Sequence, residues 1–288
     1  MRTLQPTLEI DKDNIMKKKE LEAQINAKKT FLCVGLDTDP NQIPAHLKKQ
    51  KDSVIEFNRQ IIDATKEFCV AYKLNTAFYE ALGAKGWEIM EQTVNYIPST
   101  HLKIADAKRG DIGNTSSQYA RAFFDILQFD AITVAPYMGE DSIRPFLEYE
   151  NKWTIVLGLT SNKGAENFEL KRLQESGRYL YQKVLETAAQ WGSVNNLMFV
   201  VGATQSEYFA EVRKIVPNHF LLVPGLGFQG GSLTDVSRYG LNKEVGMLVN
   251  ASRAIIYAGE HEDFAKESAA IAAQYATEMS TMISKYVS

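Results

Sequence analysis

The stretch His101-Leu-Lys-Ile-Ala-Asp106-Ala-Lys108-Arg109-Gly-Asp111 drives an apolar run straight into a cluster of charges. Its first six residues read as a short strand, on which side chains two positions apart share a face. Asp106 and Lys108 are therefore expected side by side, with Asp111 one turn further on. Charges this close to a core are costly unless paired, and in a cleft they mark a candidate functional site. Taken alone, the segment reads as readily as a solvated charged turn. Its meaning depends on what surrounds it.

Similar runs recur along the whole chain. Together they are Phe31–Asp37, Phe68–Leu74, Leu102–Asp106, Asp130–Ala135, Trp153–Leu159, Leu197–Gly202, His219–Pro224 and Met247–Asn250. They are short and almost continuously apolar, as parallel strands covered on both faces are. Helical spacing fills the gaps: Val54, Ile55, Phe57, Ile61 and Ile62 within Asp52–Phe68, then Tyr119, Phe123, Ile126 and Leu127 within Asn114–Gln128. Longer amphipathic helices are expected over Leu170–Gln190 and Phe264–Tyr286. Eight strand–helix alternations predict an α/β fold, a (β/α)8 TIM barrel, with a doubly wound open sheet as the runner-up. No linker, repeat or low-complexity segment breaks the pattern, so residues 16–288 read as a single barrel domain. Residues 1–15 fit it poorly and read as an extension or an upstream start-site artefact.

Composition narrows the class. The 288 residues are 45% hydrophobic and 23% charged, ordinary values for a globular protein. A net charge of -3 argues against broad binding to nucleic acid or to an anionic membrane. The basic clusters Lys17-Lys18-Lys19 and Lys48-Lys49 read as solvated helix surface. Cys33 and Cys69 lie inside apolar runs, which predicts buried free thiols and no disulfide framework. No apolar stretch approaches the roughly 18 residues of a membrane span. The polar N-terminus lacks the core of a secretion signal, so a cytoplasmic location is expected.

In barrels of this kind the C-terminal strand ends and the loops after them build the active site. That rule puts Asp37 at the end of the first strand, Lys73 near the end of the second, and Asp106 and Lys108 at the third. Thr160-Ser161-Asn162 follows the fifth, Gly225–Gly231 the seventh and Asn250–Arg253 the eighth. His101 and His219 precede their strands and read as structural, while His46 and His261 are expected to be exposed. No HxH or other His–carboxylate ligand pattern occurs, so metal ligation is not expected. Lys73 stands in the apolar run Val70-Ala-Tyr-Lys-Leu-Asn75, where a lysine is unwelcome unless paired or snorkelling outward. Asp37 shares a strand face with Cys33 and Gly35, leaving room in front of it, although an N-cap role is also open.

Two lysines and two or three aspartates thus converge on one mouth. Alternating charges hold lysine protonated and carboxylate ionised. That suits a reaction that builds negative charge on carbon, which an ammonium group stabilises before donating a proton. No Ser/His or Cys/His nucleophile pair accompanies them. A second grouping reads as a phosphate grip. Pro224-Gly-Leu-Gly-Phe-Gln229-Gly-Gly231 offers backbone N–H groups and Arg253 a bidentate donor, at the two loops where this fold commonly holds phosphate.

With these blocks in order, the chain from about Lys29 onward resembles the orotidine 5′-phosphate decarboxylase family, in its longer bacterial (type 2) branch. The resemblance rests on Asp106-Ala-Lys-Arg-Gly-Asp-Ile-Gly113, Gly35-Leu-Asp37, the second-strand lysine, Pro224-Gly-Leu-Gly-Phe-Gln229 and Ser252-Arg253. It implies conversion of orotidine 5′-monophosphate to UMP and CO2, the last step of de novo pyrimidine nucleotide synthesis, without metal or organic cofactor. By the same resemblance Lys108 is the proton donor, Asp106 sits beside the substrate carboxylate, and Lys73 bridges the network while touching ribose. Asp37 binds a ribose hydroxyl, Ser161 the pyrimidine, and Gln229 and Arg253 the phosphate, with Pro224 in the phosphate loop. A homodimer is implied, in which Asp111 and Thr115 reach the partner's site. Two alternatives stand beside this: a Mg2+-dependent decarboxylase of a 3-keto sugar phosphate from the same superfamily, and a non-catalytic nucleotide-binding barrel. Arg109 after Lys108, together with Lys73 and Gln229, favours the nucleotide enzyme over the first. Joint retention of Lys73, Asp106, Lys108 and Asp111 argues against the second.

Overall fold

The computed structural model describes residues 16–226 and 232–287. The extension expected over residues 1–15 therefore lies outside the described residues. Eight strands run β1 Leu32–Gly35, β2 Ala71–Asn75, β3 Leu102–Arg109, β4 Ala131–Val134, β5 Trp153–Leu159, β6 Leu197–Val201, β7 Phe220–Val223 and β8 Met247–Ala251. Each pairs in parallel with the next, and β1 pairs with β8 to close the barrel. The expected (β/α)8 barrel is the observed one, and the open sheet is excluded.

Why these strands close is visible in their burial. β1, β4, β6, β7 and β8 are buried at every position, because helices cover one face and the barrel interior the other. The helix Ser53–Thr65 lays Val54, Ile55, Phe57, Ile61 and Ile62 against that outer face, as its spacing predicts. The 23-residue helix Phe264–Tyr286 closes the ring, packing Phe264 on Phe57 with ring centroids 5.2 Å apart. At the N-terminal end of the barrel the helix Lys18–Lys28 buries Leu21 and Ile25, and Trp153 Nε1 donates to the Met16 carbonyl at 2.9 Å.

His101 and His219 lie at that same end, as expected. Lys28 Nζ meets His101 Nε2 at 2.9 Å and donates to the carbonyls of Lys66 and Cys69 at 2.6 and 2.9 Å. Burial, helped by Lys28, pushes the His101 imidazole down to about 4. His261 is exposed, but His46 is not: it is half-buried, with its ring 6.0 Å from Phe264. Cys33 and Cys69 are buried free thiols.

Three expected elements differ from the observed ones. β3 runs on to Arg109, and between Ala105 and Arg109 its pairing with β4 slips, so that four steps along β3 match two along β4. Lys108 sits in this irregularity with φ +48, a left-handed conformation that a side chain rarely adopts. The helix expected over Asn114–Gln128 starts at Gly113 and widens into a π-helical turn at Ala122–Ile126. The long helix expected over Leu170–Gln190 is only Leu180–Ala188. Before it the chain folds back on itself: Leu173 N–H donates to Arg178 O, Leu180 N–H to Lys171 O and Tyr181 N–H to Glu169 O. Gly177 turns this excursion at φ +67, and Tyr179 with Gln182 caps the helix that follows.

Candidate active site

β1, β2 and β3 end side by side, and each brings a charge to the mouth. Lys73 pairs in register with Gly35 of β1 and Ile104 of β3, while Asn75 pairs with Asp106. The Lys73 ammonium donates to Asp106 Oδ2 at 2.9 Å and reaches Asp37 Oδ1 at 3.4 Å. From the solvent side, Lys108 Nζ lies 2.5 Å from Asp106 Oδ1. The charges thus alternate in one chain, Asp37, Lys73, Asp106, Lys108. Lys73 is almost fully buried, Asp106 is 13% exposed and Lys108 is half exposed.

Burial and pairing pull these groups in opposite directions, and pairing wins. Burial alone lowers the Lys73 ammonium, but Asp37 and Asp106 raise it well above the ordinary lysine range. Burial alone raises the Asp106 carboxyl, but Lys73 and Lys108 bring it well below the ordinary carboxylate range. Both groups are charged across neutral pH, and burial pushes the neighbouring Cys33 thiol upward, so it takes no charge there.

β4 adds a group whose local sequence gives little sign of it. Thr133 Oγ1 donates to Asp106 Oδ1 at 3.1 Å and accepts the Lys108 backbone N–H at 2.9 Å. One hydroxyl therefore fixes the carboxylate and also the left-handed backbone that aims Lys108. In an apolar strand Thr133 reads as an ordinary β-branched residue, and only the register of β3 on β4 exposes its role.

Asp37, Lys73, Asn75, Asp106, Ser161 and Arg253 line one cavity of about 1100 Å³. Pro224, Gly225 and Leu226 close one side, and Thr204, Asn250, Ser252 and Tyr257 join them. Gln229 lies outside the described residues, as does the rest of its loop from 227 to 231. Asp37 faces this cavity, whereas Gly35 is closely covered: a Cβ there would meet Ser252 Oγ at 1.8 Å and Asn250 Oδ1 at 3.1 Å. Glycine at 35 thus admits the end of β8 against β1. Tyr257, missed in the sequence, accepts the Asp39 N–H at 2.7 Å and donates to the Asp37 carbonyl at 3.3 Å. It ties the turn after Arg253 to the loop that carries Asp37.

Lys108, Asp111 and Thr115 are not among the residues that line this cavity, although Lys108 reaches Asp106 at its edge. Asp111 Oδ1 accepts the Ile112 N–H at 2.8 Å, and Ser116 Oγ donates to the Asp111 carbonyl at 2.6 Å. Thr115 is exposed on the helix Gly113–Arg121. Among the described residues no group of three or more His, Cys, Asp or Glu side chains is arranged to hold a metal ion.

Fold and site define a class: β/α-barrel enzymes whose mouth carries an alternating lysine–aspartate array at the strand ends. Within that class the chain belongs to the Orotidine 5′-phosphate decarboxylase / HUMPS family, whose profile matches residues 30–268. It is 56% identical over 271 residues to the orotidine 5′-phosphate decarboxylase of Flavobacterium johnsoniae, covering 93% of this chain and 98% of that one. Among solved structures it is similar to Leishmania donovani OMP decarboxylase, with 35% identity and a TM-score of 0.79, covering 92% of this chain and 99% of that chain. It is also similar to Leishmania donovani UMP synthase, with 37% identity and a TM-score of 0.82 over 93% of this chain. It spans 56% of that longer chain.

Proposed function

We propose that this protein converts orotidine 5′-monophosphate to UMP and CO2, closing de novo pyrimidine nucleotide synthesis, with residues 16–288 acting as one catalytic barrel. The observation that carries the proposal is the unbroken chain Asp37–Lys73–Asp106–Lys108 at the mouth, with carboxylate and ammonium alternating within 3.4 Å. The family and the 56% identical relative support the same reading.

The chemistry follows from the charges. The bond between C6 and the substrate carboxylate breaks, CO2 leaves, and the electron pair stays on C6. The pyrimidine has no electron sink for that pair, so stabilisation falls to a preorganised cation. Lys108 is that cation: Asp106 and Thr133 hold it before the bond breaks, and its ammonium then gives C6 a proton and is left neutral. Asp106 stands beside the departing carboxylate. Lys73 keeps Asp106 ionised, pairs with Asp37 and contacts ribose, and Asp37 binds a ribose hydroxyl. Ser161 meets the pyrimidine. Arg253, Gln229 and the loop beginning at Pro224 hold the phosphate, so that binding energy remote from C6 orients the reacting bond.

The working unit is a homodimer in which Asp111 and Thr115 serve the partner's site, and the enzyme acts in the cytoplasm. Support for the trans role comes from the exposed apolar side chains near them. Ile112 is 60%, Tyr137 92% and Met138 45% exposed. The Met138 side chain reaches to within 3.8 Å of the Cβ position at Gly110, which places it beside Asp111. The decisive assay is loss of orotidine 5′-monophosphate absorbance on adding purified protein in EDTA, with UMP as product. Turnover that depends on added metal, or no turnover, overturns the proposal.

A further inference from the structure

β5 ends at Leu159, whose carbonyl accepts the last ladder bond from Gly202 N–H at 2.8 Å. Thr160 lies one residue past the ladder, so its backbone N–H and C=O need other partners. It finds them in two segments that approach from opposite sides. Glu169 Oε2 accepts the Thr160 N–H at 2.6 Å, and Glu169 Oε1 accepts the Thr160 hydroxyl at 2.8 Å. Gln205 Nε2 donates to the Thr160 carbonyl at 3.2 Å, and Thr204 Oγ1 donates to the Ser161 carbonyl at the same distance. The Thr160 hydroxyl also lies 2.7 Å from Asn162 Oδ1, so its single hydrogen is shared between that amide oxygen and Glu169 Oε1.

Every polar group of Thr160 is therefore committed, and Ser161 is the next residue. Ser161 lines the cavity, and its seat is shaped for it: a Cβ on Gly202 would fall 2.6 Å from both Ser161 N and Ser161 Cβ. Glu169 is equally fixed. Its carbonyl accepts the Tyr181 N–H at 3.0 Å, at the foot of the excursion that turns at Gly177 and ends at the cap of the helix Leu180–Ala188. That excursion replaces the helix its sequence suggests, and it brings a carboxylate back under the end of β5. A bidentate charge-assisted acceptor is a stronger tether than a neutral one.

We infer that Glu169 is a positioning residue: its carboxylate clamps Thr160 and so sets Ser161 against the pyrimidine of the substrate. The inference rests on the proposed contact between Ser161 and the base, and a double-mutant cycle separates the two ideas. Ser161→Ala, Glu169→Ala and the double variant are assayed for kcat and KM with orotidine 5′-monophosphate, alongside Glu169→Gln and thermal midpoints. A displaced binding group lowers kcat/KM by roughly 10- to 100-fold. Each single variant should show such a loss, and the double variant should be no worse than Ser161→Ala. Glu169→Gln keeps one acceptor oxygen for Thr160 and should recover part of the activity. A merely structural role would lower the midpoint and leave kcat and KM of the folded enzyme unchanged. If Glu169→Ala does not fold, Thr160→Val removes only the hydroxyl and should again give a loss that vanishes in the Ser161→Ala background. Additive losses, or a silent Glu169→Ala beside a damaging Ser161→Ala, overturn the positioning role. A silent Ser161→Ala overturns the pyrimidine contact itself, and the clamp with it.

Discussion

Lys73 is the residue on which the electrostatics of the mouth turn, because two carboxylates share its ammonium from inside an apolar strand. The sign of its contribution is fixed by the directions of the shifts. Lys73 is raised, so its stabilisation is complete below the ordinary lysine value of about 10.4 and is lost as pH climbs through its higher folded value. Asp106 is depressed, so its share is complete above the ordinary value of about 3.9 and is lost as pH falls through its lower folded value. Between these limits both Lys73 and Asp106 are charged. Lys73→Met keeps the bulk and removes the cation, leaving Asp37 and Asp106 facing each other. Breaking a buried pair this way costs about 3–5 kcal/mol. The loss should be largest near neutral pH and shrink as pH falls, where Asp106 without its Lys73 partner takes up a proton more readily. Urea unfolding of both proteins across that range checks it, and a gap that does not change with pH would refute the charge assignment. Lys73, Asp106 and Lys108 were legible in the sequence because charge at the end of an apolar run is conspicuous. Thr133, Tyr257 and Glu169 were not, since nothing local marks them. Their roles come from strand register or from contacts across more than one element.

At the scale of elements, the strands were readable because burial on both faces leaves a run of apolar residues with no competing pattern. The excursion before the helix Leu180–Ala188 was not. Leu170, Leu173, Leu180, Val184 and Leu185 keep an amphipathic spacing straight through it. What overrides that spacing is Gly177, whose φ of +67 no helix accommodates, together with the Tyr179–Gln182 cap that restarts the chain as a helix. Gly177→Ala tests this cause. A Cβ there meets no atom within 4 Å, so the change strains only the backbone. A left-handed non-glycine residue costs about 1–2 kcal/mol, and the unfolding free energy should fall by that amount. Calorimetry that finds Gly177→Ala as stable as the parent would mean that another feature holds the turn. Lys108 shows the complementary case. Its φ of +48 is kept without glycine because the Thr133 hydroxyl and the Asp106 carboxylate hold it from both ends, so backbone strain is retained where the chemistry is.

At the scale of the whole molecule, one barrel mouth gathers Asp37, Lys73, Asp106, Ser161 and Arg253 but leaves Asp111 outside, five residues along the same segment from Asp106. Ile112, next to Asp111, is exposed, as are Tyr137 and Met138. An isologous twofold contact through that surface would carry each Asp111 to the neighbouring mouth. Mixing subunits tests this without any structure of the pair. Lys108→Ala and Asp111→Ala each inactivate both sites of their own homodimer. In a mixed dimer one site combines both defects, and the other takes Lys108 from one chain and Asp111 from its partner, both intact. With random exchange in equal amounts, half the dimers are mixed and each has one working site, so activity should return to about a quarter of the parent value per site. Tyr137→Asp in both chains should abolish the recovery, because a charge buried in the contact disfavours pairing. Size-exclusion chromatography would then show monomers. Mixtures that stay as inactive as either parent, in a population shown to exchange subunits, would place Asp111 in its own chain's site or in none.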